Sequence, residues 1–394
     1  MNIIFILLFV YISLGVVYFF VFALAGKTTS SKVNLEINEL KNIAVVIPAY
    51  KEDQIIISTA EKAISHDYPR GKFQVFIMAD QLFASTIETL KKMPISVVEV
   101  RHDKSTKAKS LHQFFENVDQ SLFDIIMVLD ADNIMEPGCL RQINNQFCKG
   151  SRVVQCHRMA KNRNTSLAIL DAISEEIRIN IFFSGQRAFG LSAELIGSAM
   201  AFEFGLLKTI LENKRIQESP GEDKEIFLQL IKKGVTVEYL KEAYVLDEKV
   251  SDLAVFKQQR KRWIESQMQI IKRFFDPEFK SVQNRFEFWY RLFQNLLLPR
   301  SFYLLLLPLF CFITYLLEKI NFHLIPSFGF WLGITFIYWL SLVISIPASY
   351  FNAKTFVAIA KLPAVLFSMV SAATQAKISN DTFVPTQKGY KNVD

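Results

Sequence analysis

The 394-residue sequence is poor in the residues that build several common kinds of site. It has four cysteines, Cys139, Cys148, Cys156 and Cys311, and no two stand at a zinc or thiol-redox spacing. They are expected as reduced thiols in cytosol or membrane. Five histidines lie scattered, which leaves no basis for a histidine-built metal centre. Glycine is scarce, 14 residues against 36 Phe. There is no internal repeat, no low-complexity tract and no nucleic-acid-binding motif. The formal net charge of +7 therefore points to an anionic membrane surface or a phosphorylated substrate. Charge is also nearly missing from long runs at both ends. Charged residues, 21% of the whole, cluster between Lys27 and Glu287, while 51% of the chain is apolar and its mean hydropathy is +0.22. The average thus mixes a polar domain with membrane segments.

Ile3 to Ala25 is an uncharged apolar run, long enough to span a bilayer at 1.5 Å per helical residue. No Lys or Arg precedes it and it exceeds a usual signal core, so residues 1–26 are expected to form an uncleaved anchor. Lys27 and Lys32 follow it, which places what comes next in the cytoplasm. Residues 296–317 and 327–351 form a second and third apolar stretch around Glu318–Lys319, as in a transmembrane hairpin. Residues 355–376, interrupted by Lys361 and Pro363, suggest an interfacial helix, as does the aromatic and arginine mixture of Phe286–Tyr303. The expected division is an anchor at 1–26, a cytoplasmic domain at 40–275, interfacial and transmembrane helices at 280–378, and a cytoplasmic tail at 379–394.

Between the membrane runs, apolar strands alternate with helical patterns. Ile43–Ile47, Val75–Met78, Ile95–Val100, Ile125–Leu129 and Val153–Gln155 fit strands; Gln54–Ser65 and Thr106–Asn117 fit helices. Continuous apolar strands joined through helices predict an α/β domain with a mostly parallel sheet, covered on both faces. Ligands in such sheets bind at the carboxyl ends of the strands.

Chemistry-bearing residues stand at those ends. The first strand runs into Pro48-Ala49-Tyr50-Lys51-Glu52-Asp53, the second into Asp80, the fourth into Asp130-Ala131-Asp132. Carboxylates two positions apart on extended chain point the same way, so both can reach one Mg²⁺ or Mn²⁺, or one can take the metal and the other a sugar hydroxyl. Alone, such a pair is more often a solvated loop. Glu222-Asp223 precedes a helical pattern at Ile226–Lys232; a helix N-terminus suits acids, and such a carboxylate can equally act as a general base. Gln259-Arg260-Lys261-Arg262-Trp263 fits a basic helix beside lipid head groups, or a site where Arg262 meets a diphosphate and Trp263 stacks on a sugar. Lys107 and Lys109 could face phosphates or water.

The ordered set Ile47-Pro48-Ala49-Tyr50-Lys51-Glu52, Asp80, Asp130-Ala131-Asp132, Glu222-Asp223 and Gln259-x-x-Arg262-Trp263 resembles the family 2 inverting glycosyltransferases. The likeness is to their membrane-bound branch of cellulose, chitin and hyaluronan synthases, and it covers roughly residues 40–275. Thr106-Lys107-Ala108-Lys109-Ser110-Leu111 is similar to a glycine-containing lysine segment of that family, here without the glycines. Phe383-Val384-Pro385-Thr386-Gln387-Lys388 is similar to its tail near the active site.

The resemblance implies a GT-A-type nucleotide-sugar-binding domain. In it Tyr50, Glu52 and Asp80 line the nucleoside pocket, Lys107 and Asp130 face the donor's phosphate or ribose side, and Asp132 holds the metal. Asp223 deprotonates the acceptor. Arg262 binds diphosphate, while Glu222, Gln259 and Trp263 face the acceptor. The implied reaction is a single inverting displacement from a UDP-sugar, with UDP-N-acetylglucosamine and UDP-glucose leading, onto a polysaccharide or lipid-linked hydroxyl. The rival expectation is a degenerate transferase-like scaffold, partnered by export subunits in a polysaccharide complex.

Overall fold

The computed structural model describes residues 2–28, 37–322 and 324–376. The expected tail, including Phe383–Lys388, lies outside the described residues. The strands are β1 (Ile43–Tyr50), β2 (Phe73–Asp80), β3 (Ser96–Val100), β4 (Ile125–Val128), β5 (Ile134–Met135), β6 (Val153–Ala160), β7 (Met200–Glu203) and β8 (Glu238–Asp247). The helices that bear on the site are α1 (Asn2–Thr28), α2 (Lys107–Asn117), α3 (Ser166–Ile179), α4 (Glu222–Lys232), α5 (Leu253–Arg273), α6 (Arg285–Leu296), α7 (Arg300–Lys319), α8 (Phe328–Ser345), α9 (Ala353–Ile359) and α10 (Leu362–Gln375).

β1 and β4 carry Ile, Val and Ala or Met at successive positions because both faces of the sheet are covered. On one face Phe76, Met78 and Val128 pack with Leu111 and Phe114 of α2 and Ile226 and Leu230 of α4. On the other, Val45, Ile47 and Ile77 pack with Ile56, Ala60, Leu140 and Ile143. β1 pairs in parallel with β2 and β4, and the register sets Tyr50 level with Asp80. Polar residues that the sequence holds 30 positions apart therefore meet along one edge.

The sheet is mixed, which corrects the expectation of a mostly parallel one. Its order is β3-β2-β1-β4-β7-β6-β8-β5. β3-β2-β1-β4 is parallel throughout, as is β6 with β8. β7 enters antiparallel to both β4 and β6, and β5 is antiparallel to β8. The physical reason is that β7 is a four-residue strand, MAFE, whose pairing partners lie far away in sequence. No local pattern of hydrophobicity reports strand direction.

α1, α7 and α8 are long and apolar enough to cross a membrane. α9 and α10 pass the same test only as a pair bent by 49°, with Lys361 and Pro363 at the break; proline's lost N–H and fixed φ suit a helix start there. α1 is locked to the polar domain by close backbone approach. A Cβ at Gly26 would stand 2.2 Å from the Asn180 carbonyl oxygen, and one at Gly185 would stand 2.2 Å from that of Phe22. Asn180 Nδ2 donates to the Ala23 carbonyl (2.9 Å) and to Ser345 Oγ (3.0 Å) of α8. α6 presents Phe286 and Trp289 outward, 75% and 56% exposed, and buries Arg291 against Glu287 (3.0 Å) and Gln186 (2.6 Å). That pattern of outward aromatics on an amphipathic helix is the one expected at a membrane interface.

Candidate active site

The eleven residues to which the resemblance assigns a role line one cavity of about 890 Å³; Lys109 does not line it and donates instead to the Lys104 carbonyl (3.1 Å). It opens at the carboxyl ends of β1, β2 and β4 and runs past α4 and α5 toward the long apolar helices α7 and α8.

At the strand ends the backbone turns sharply. Lys51 and Gln81 both adopt positive φ (57° and 55°), which turns the chain out of β1 and β2 immediately after Tyr50 and Asp80. The Lys51 N–H donates to the Asp80 carbonyl (3.1 Å), and the Phe83 N–H to Asp53 Oδ1 (2.7 Å), so the two turns hold each other. Asp80 is 1% exposed, and among the described residues neither carboxylate oxygen has a hydrogen-bond partner. A buried carboxylate so placed carries a desolvation cost that a ligand N–H would relieve.

The Asp-Ala-Asp segment is held by its neighbours. The Asp130 N–H donates to Ser198 Oγ (2.9 Å). Asn133 Nδ2 reaches both Asp132 Oδ1 (3.3 Å) and Asp247 Oδ1 (3.2 Å). Lys107, the first residue of α2, ion-pairs with Asp130 and also donates to the Gly197 carbonyl. Gly197 has φ +81°, and a Cβ there would stand 3.7 Å from Asp223 Oδ2. Lys107, Asp130, Gly197 and Asp223 thus form one polar centre drawn from four segments.

Glu222 and Asp223 open α4, and the α4 N-terminus packs close to α5. A Cβ at Gly221 would approach Ser266 Oγ to 2.6 Å. Burial, then the adjacent Asp223, pushes the Glu222 carboxyl up to about 7. Arg262 on α5 faces Glu222, Asp130 and Asp223; burial pulls its guanidinium below its ordinary value, and those carboxylates oppose the shift. Burial lowers Lys224 as well; Asp223 and Glu194 oppose the shift and Arg178 adds to it. Gln259 lines the cavity with its Oε1 buried and unpartnered. Trp263 is 36% exposed, and the Arg260 guanidinium covers its ring at 4.0 Å.

Beyond these lies a layer of paired charges. Arg260 ion-pairs with Asp171, Arg178 with Glu194 (2.7 Å), Arg158 with Glu175 (2.8 Å), and Lys249 with Asp247 (2.8 Å) and Glu175. Sequence reasoning missed this layer, together with Asn133, Gly197 and Ser198. Arg260 stands within the basic pentad, but nothing local marks Arg260, rather than Arg262, as the one that turns to α3.

The donor set allows a test of the expected metal. Among the described residues, no three His, Cys, Asp or Glu side chains converge to hold an ion by themselves. Asp132, 4% exposed and oriented by Asn133, stands with Asp130 at a strand end. Hard carboxylate oxygens of this kind suit Mg²⁺ or Mn²⁺ when substrate phosphates and water complete the coordination. The residues fit a substrate-completed metal site and not a closed protein cage.

Comparison with known proteins bears on this cavity directly. The profile of the family described as "Glycosyltransferase like family 2" matches residues 41–266. The chain is 23% identical over 264 residues to YdaM of Bacillus subtilis (strain 168), named as a probable glycosyltransferase; the match covers 64% of this chain and 61% of the relative. It is 22% identical over 209 residues to the dolichyl N-acetyl-α-D-glucosaminyl phosphate 3-β-D-2,3-diacetamido-2,3-dideoxy-β-D-glucuronosyltransferase of Methanococcus voltae, covering 49% of this chain and 62% of the relative. The matched part is thus about three fifths of each relative's length. In fold, the chain is similar to the mannosyltransferase PcManGT of Pyrobaculum calidifontis, solved with GDP-Man and Mn²⁺. The TM-score is 0.56 at 12% identity, over 94% of this chain and 98% of that one. With the family's profile covering more than half of the sequence and its GT-A-like domain enclosing the cavity, the chain belongs to glycosyltransferase family 2 and carries that family's enzyme domain.

Proposed function

We propose that the protein transfers a sugar from a nucleotide-sugar, UDP-N-acetylglucosamine or UDP-glucose, to a polysaccharide or lipid-linked hydroxyl at the cytoplasmic membrane face. The observation that carries this reading is the convergence of eleven residues, drawn from five sequence motifs and the Lys107 segment, on one cavity. Asp80 is compatible with a uridine donor. Its unpartnered carboxylate accepts hydrogen bonds, which suits the N3–H of uracil beside Tyr50 and Glu52. The Methanococcus voltae relative is named for a dolichyl-linked acceptor, which supports a lipid-linked hydroxyl here. The synthase-like branch is supported by the ordered motifs followed by membrane helices. The cytoplasmic side is supported by Lys27 in the last turn of α1.

The mechanism is a single inverting displacement. Asp223 accepts the acceptor's hydroxyl proton, and the oxygen attacks the anomeric carbon opposite the departing nucleoside diphosphate. The bond from anomeric carbon to phosphate oxygen breaks, and the diphosphate leaves with the electron pair. Arg262 and Lys107 meet the charge that develops there, as prepositioned donors in a water-poor site. A divalent metal held by Asp132, with Asp130 beside it, would add Lewis-acid stabilisation to the same oxygens. Glu222, pushed toward protonation, can donate to an acceptor oxygen while Asp223 takes the proton.

The test is release of nucleoside diphosphate from a panel of nucleotide-sugars by membranes holding the full chain. Release should depend on added Mg²⁺ or Mn²⁺ and vanish in Asp132→Asn with the protein still present in the membrane. Undiminished turnover in excess chelator would reject the metal assignment. No release from any donor, with the fold intact, would favour the scaffold reading.

A further inference from the structure

The cavity does not end at Asp223. It continues between α7, α8, α9 and α10, where Leu342, Val343, Ile346, Ile359, Leu366 and Met369 line it. Aliphatic side chains of this kind offer no hydrogen bonds to sugar hydroxyls, so a saccharide there would be desolvated without compensation. The slot also reaches the outer surface of the helices. Val343, Phe356 and Ile359 line it and are 48%, 68% and 46% exposed. A chain entering sideways from the bilayer meets mostly apolar surface, with Trp339, Tyr350 and Thr355 as the polar-edged members of the lining.

One cation marks the junction between the polar and apolar parts. Arg300, at the start of α7, donates to the Ser174 carbonyl (2.8 Å) and lies 5.9 Å from the Phe182 ring centre. Its own carbonyl accepts from the Tyr338 hydroxyl (2.6 Å). Arg178, Glu194 and Arg260 face it from the catalytic side. Glu194 is committed to Arg178 and Asp171 to Arg260, so no carboxylate closes an ion pair with Arg300 among the described residues. Three guanidiniums thus stand against two carboxylates at this level. Lys224 continues the row to Asp223. An anion is the ligand that balances the layer.

We propose that the slot holds the hydrocarbon chain of a lipid-linked acceptor, that Arg300 binds the phosphate joining lipid to sugar, and that the sugar head reaches Asp223. This rests on the transferase reading above and narrows its acceptor to a phosphate-linked lipid. The order along the cavity is base, diphosphate, acceptor hydroxyl, acceptor phosphate, lipid chain.

The experiment uses the full chain in detergent micelles, with retained ligand counted by native mass spectrometry. The probes are decaprenyl phosphate, decaprenol, chitotetraose and inorganic phosphate. The wild-type protein should retain decaprenyl phosphate at least about tenfold better than decaprenol, as expected for a charge-assisted contact. Arg300→Gln should bring the two lipids to near equality, and Arg300→Lys should restore most of the preference. Val343→Trp, at a partly exposed position, should lower retention of both lipids. Inorganic phosphate should not displace the lipid phosphate. Unchanged preference in Arg300→Gln, with only a lower melting temperature, would make Arg300 a tether for Ser174 and overturn the proposal. So would displacement of the lipid by inorganic phosphate or chitotetraose. Nucleoside diphosphate release is read in the same preparations. Lipid preference without release from any donor sinks the transferase reading alone; release without lipid preference sinks the lipid site alone.

Discussion

On the proposed donor side of the cavity, Asp80 is buried, with both oxygens unpartnered among the described residues. On the proposed acceptor side, Arg158, Arg178, Lys249 and Arg260 each close onto a carboxylate, and two of the four contacts join different elements, β6 and α5 each to α3. The first arrangement costs stability and is relieved by a ligand; in the second, these four cations are paired before any ligand arrives, and Arg300 beside them is left to an anion. On the proposed assignment the donor half acts as a receptor, and the acceptor half as a frame of paired charges that fixes where α3 and α5 stand. Asp223 sits at the boundary, with Lys107 and Gly197 on one side and Lys224 on the other.

That contrast can be broken at several points. The largest effect is expected at the boundary. Asp223→Asn should lower transfer by about 10²–10⁴-fold, the usual loss for a positioned base, while donor affinity holds. Near-normal transfer in single-turnover assays would pass the base role to Glu222.

Next comes the frame. Asp171→Ala leaves Arg260 buried without its carboxylate, and should cost about 3 kcal/mol of stability, the lower end for breaking a buried pair. Urea unfolding in detergent measures it. A paired Asp171→Leu with Arg260→Met should recover much of the loss; failure to do so would mean that the charges themselves, and not the packing, hold α3 to α5.

The donor half should respond in the opposite sense. Asp80→Asn removes an unpartnered buried carboxylate, so the unliganded protein should gain stability while affinity for UDP falls by about tenfold or more. Isothermal titration with UDP together with thermal melting tests both arms. A loss of stability would show that Asp80 has a structural partner rather than a ligand role.

The smallest effect is expected from pH. The Glu222 carboxyl is raised from 4.5 to about 7, by burial and then by Asp223. Between these values the folded chain keeps a proton that the unfolded chain has lost. The native state then binds more protons, so this group's contribution makes stability fall as pH rises through the window. Glu222→Gln should therefore raise the melting temperature by a few degrees at pH 8 and little at pH 5. An equal gain at both values would assign the effect to packing.

The donor half was largely legible from the chain. β1, β2 and β4 are short runs rich in Ile, Val, Phe, Ala and Met, and their polar ends follow without interruption in sequence. Tyr50, Asp80, Asp130 and Asp132 could be placed at one edge from strand order alone. Trp263 shows where local reading stopped. Its type and position suggested a bare sugar platform, yet Arg260 covers one face of the ring, because Asp171 on α3 draws that guanidinium inward.

The sequence by itself determined the alternation of strands and helices, the three apolar membrane runs, and the order of the motifs. Each depends on side chains adjacent or a few positions apart, where burial and periodicity act locally. Only the tertiary structure decided that β7 would enter antiparallel, that Gly197 would bring the Lys107 contact beside Asp223, and that Arg300 would stand between paired charges and an apolar slot. These depend on groups tens to more than a hundred residues apart, such as Arg300 and Ser174. Their meeting is set by how whole elements pack, and local propensity carries no record of it.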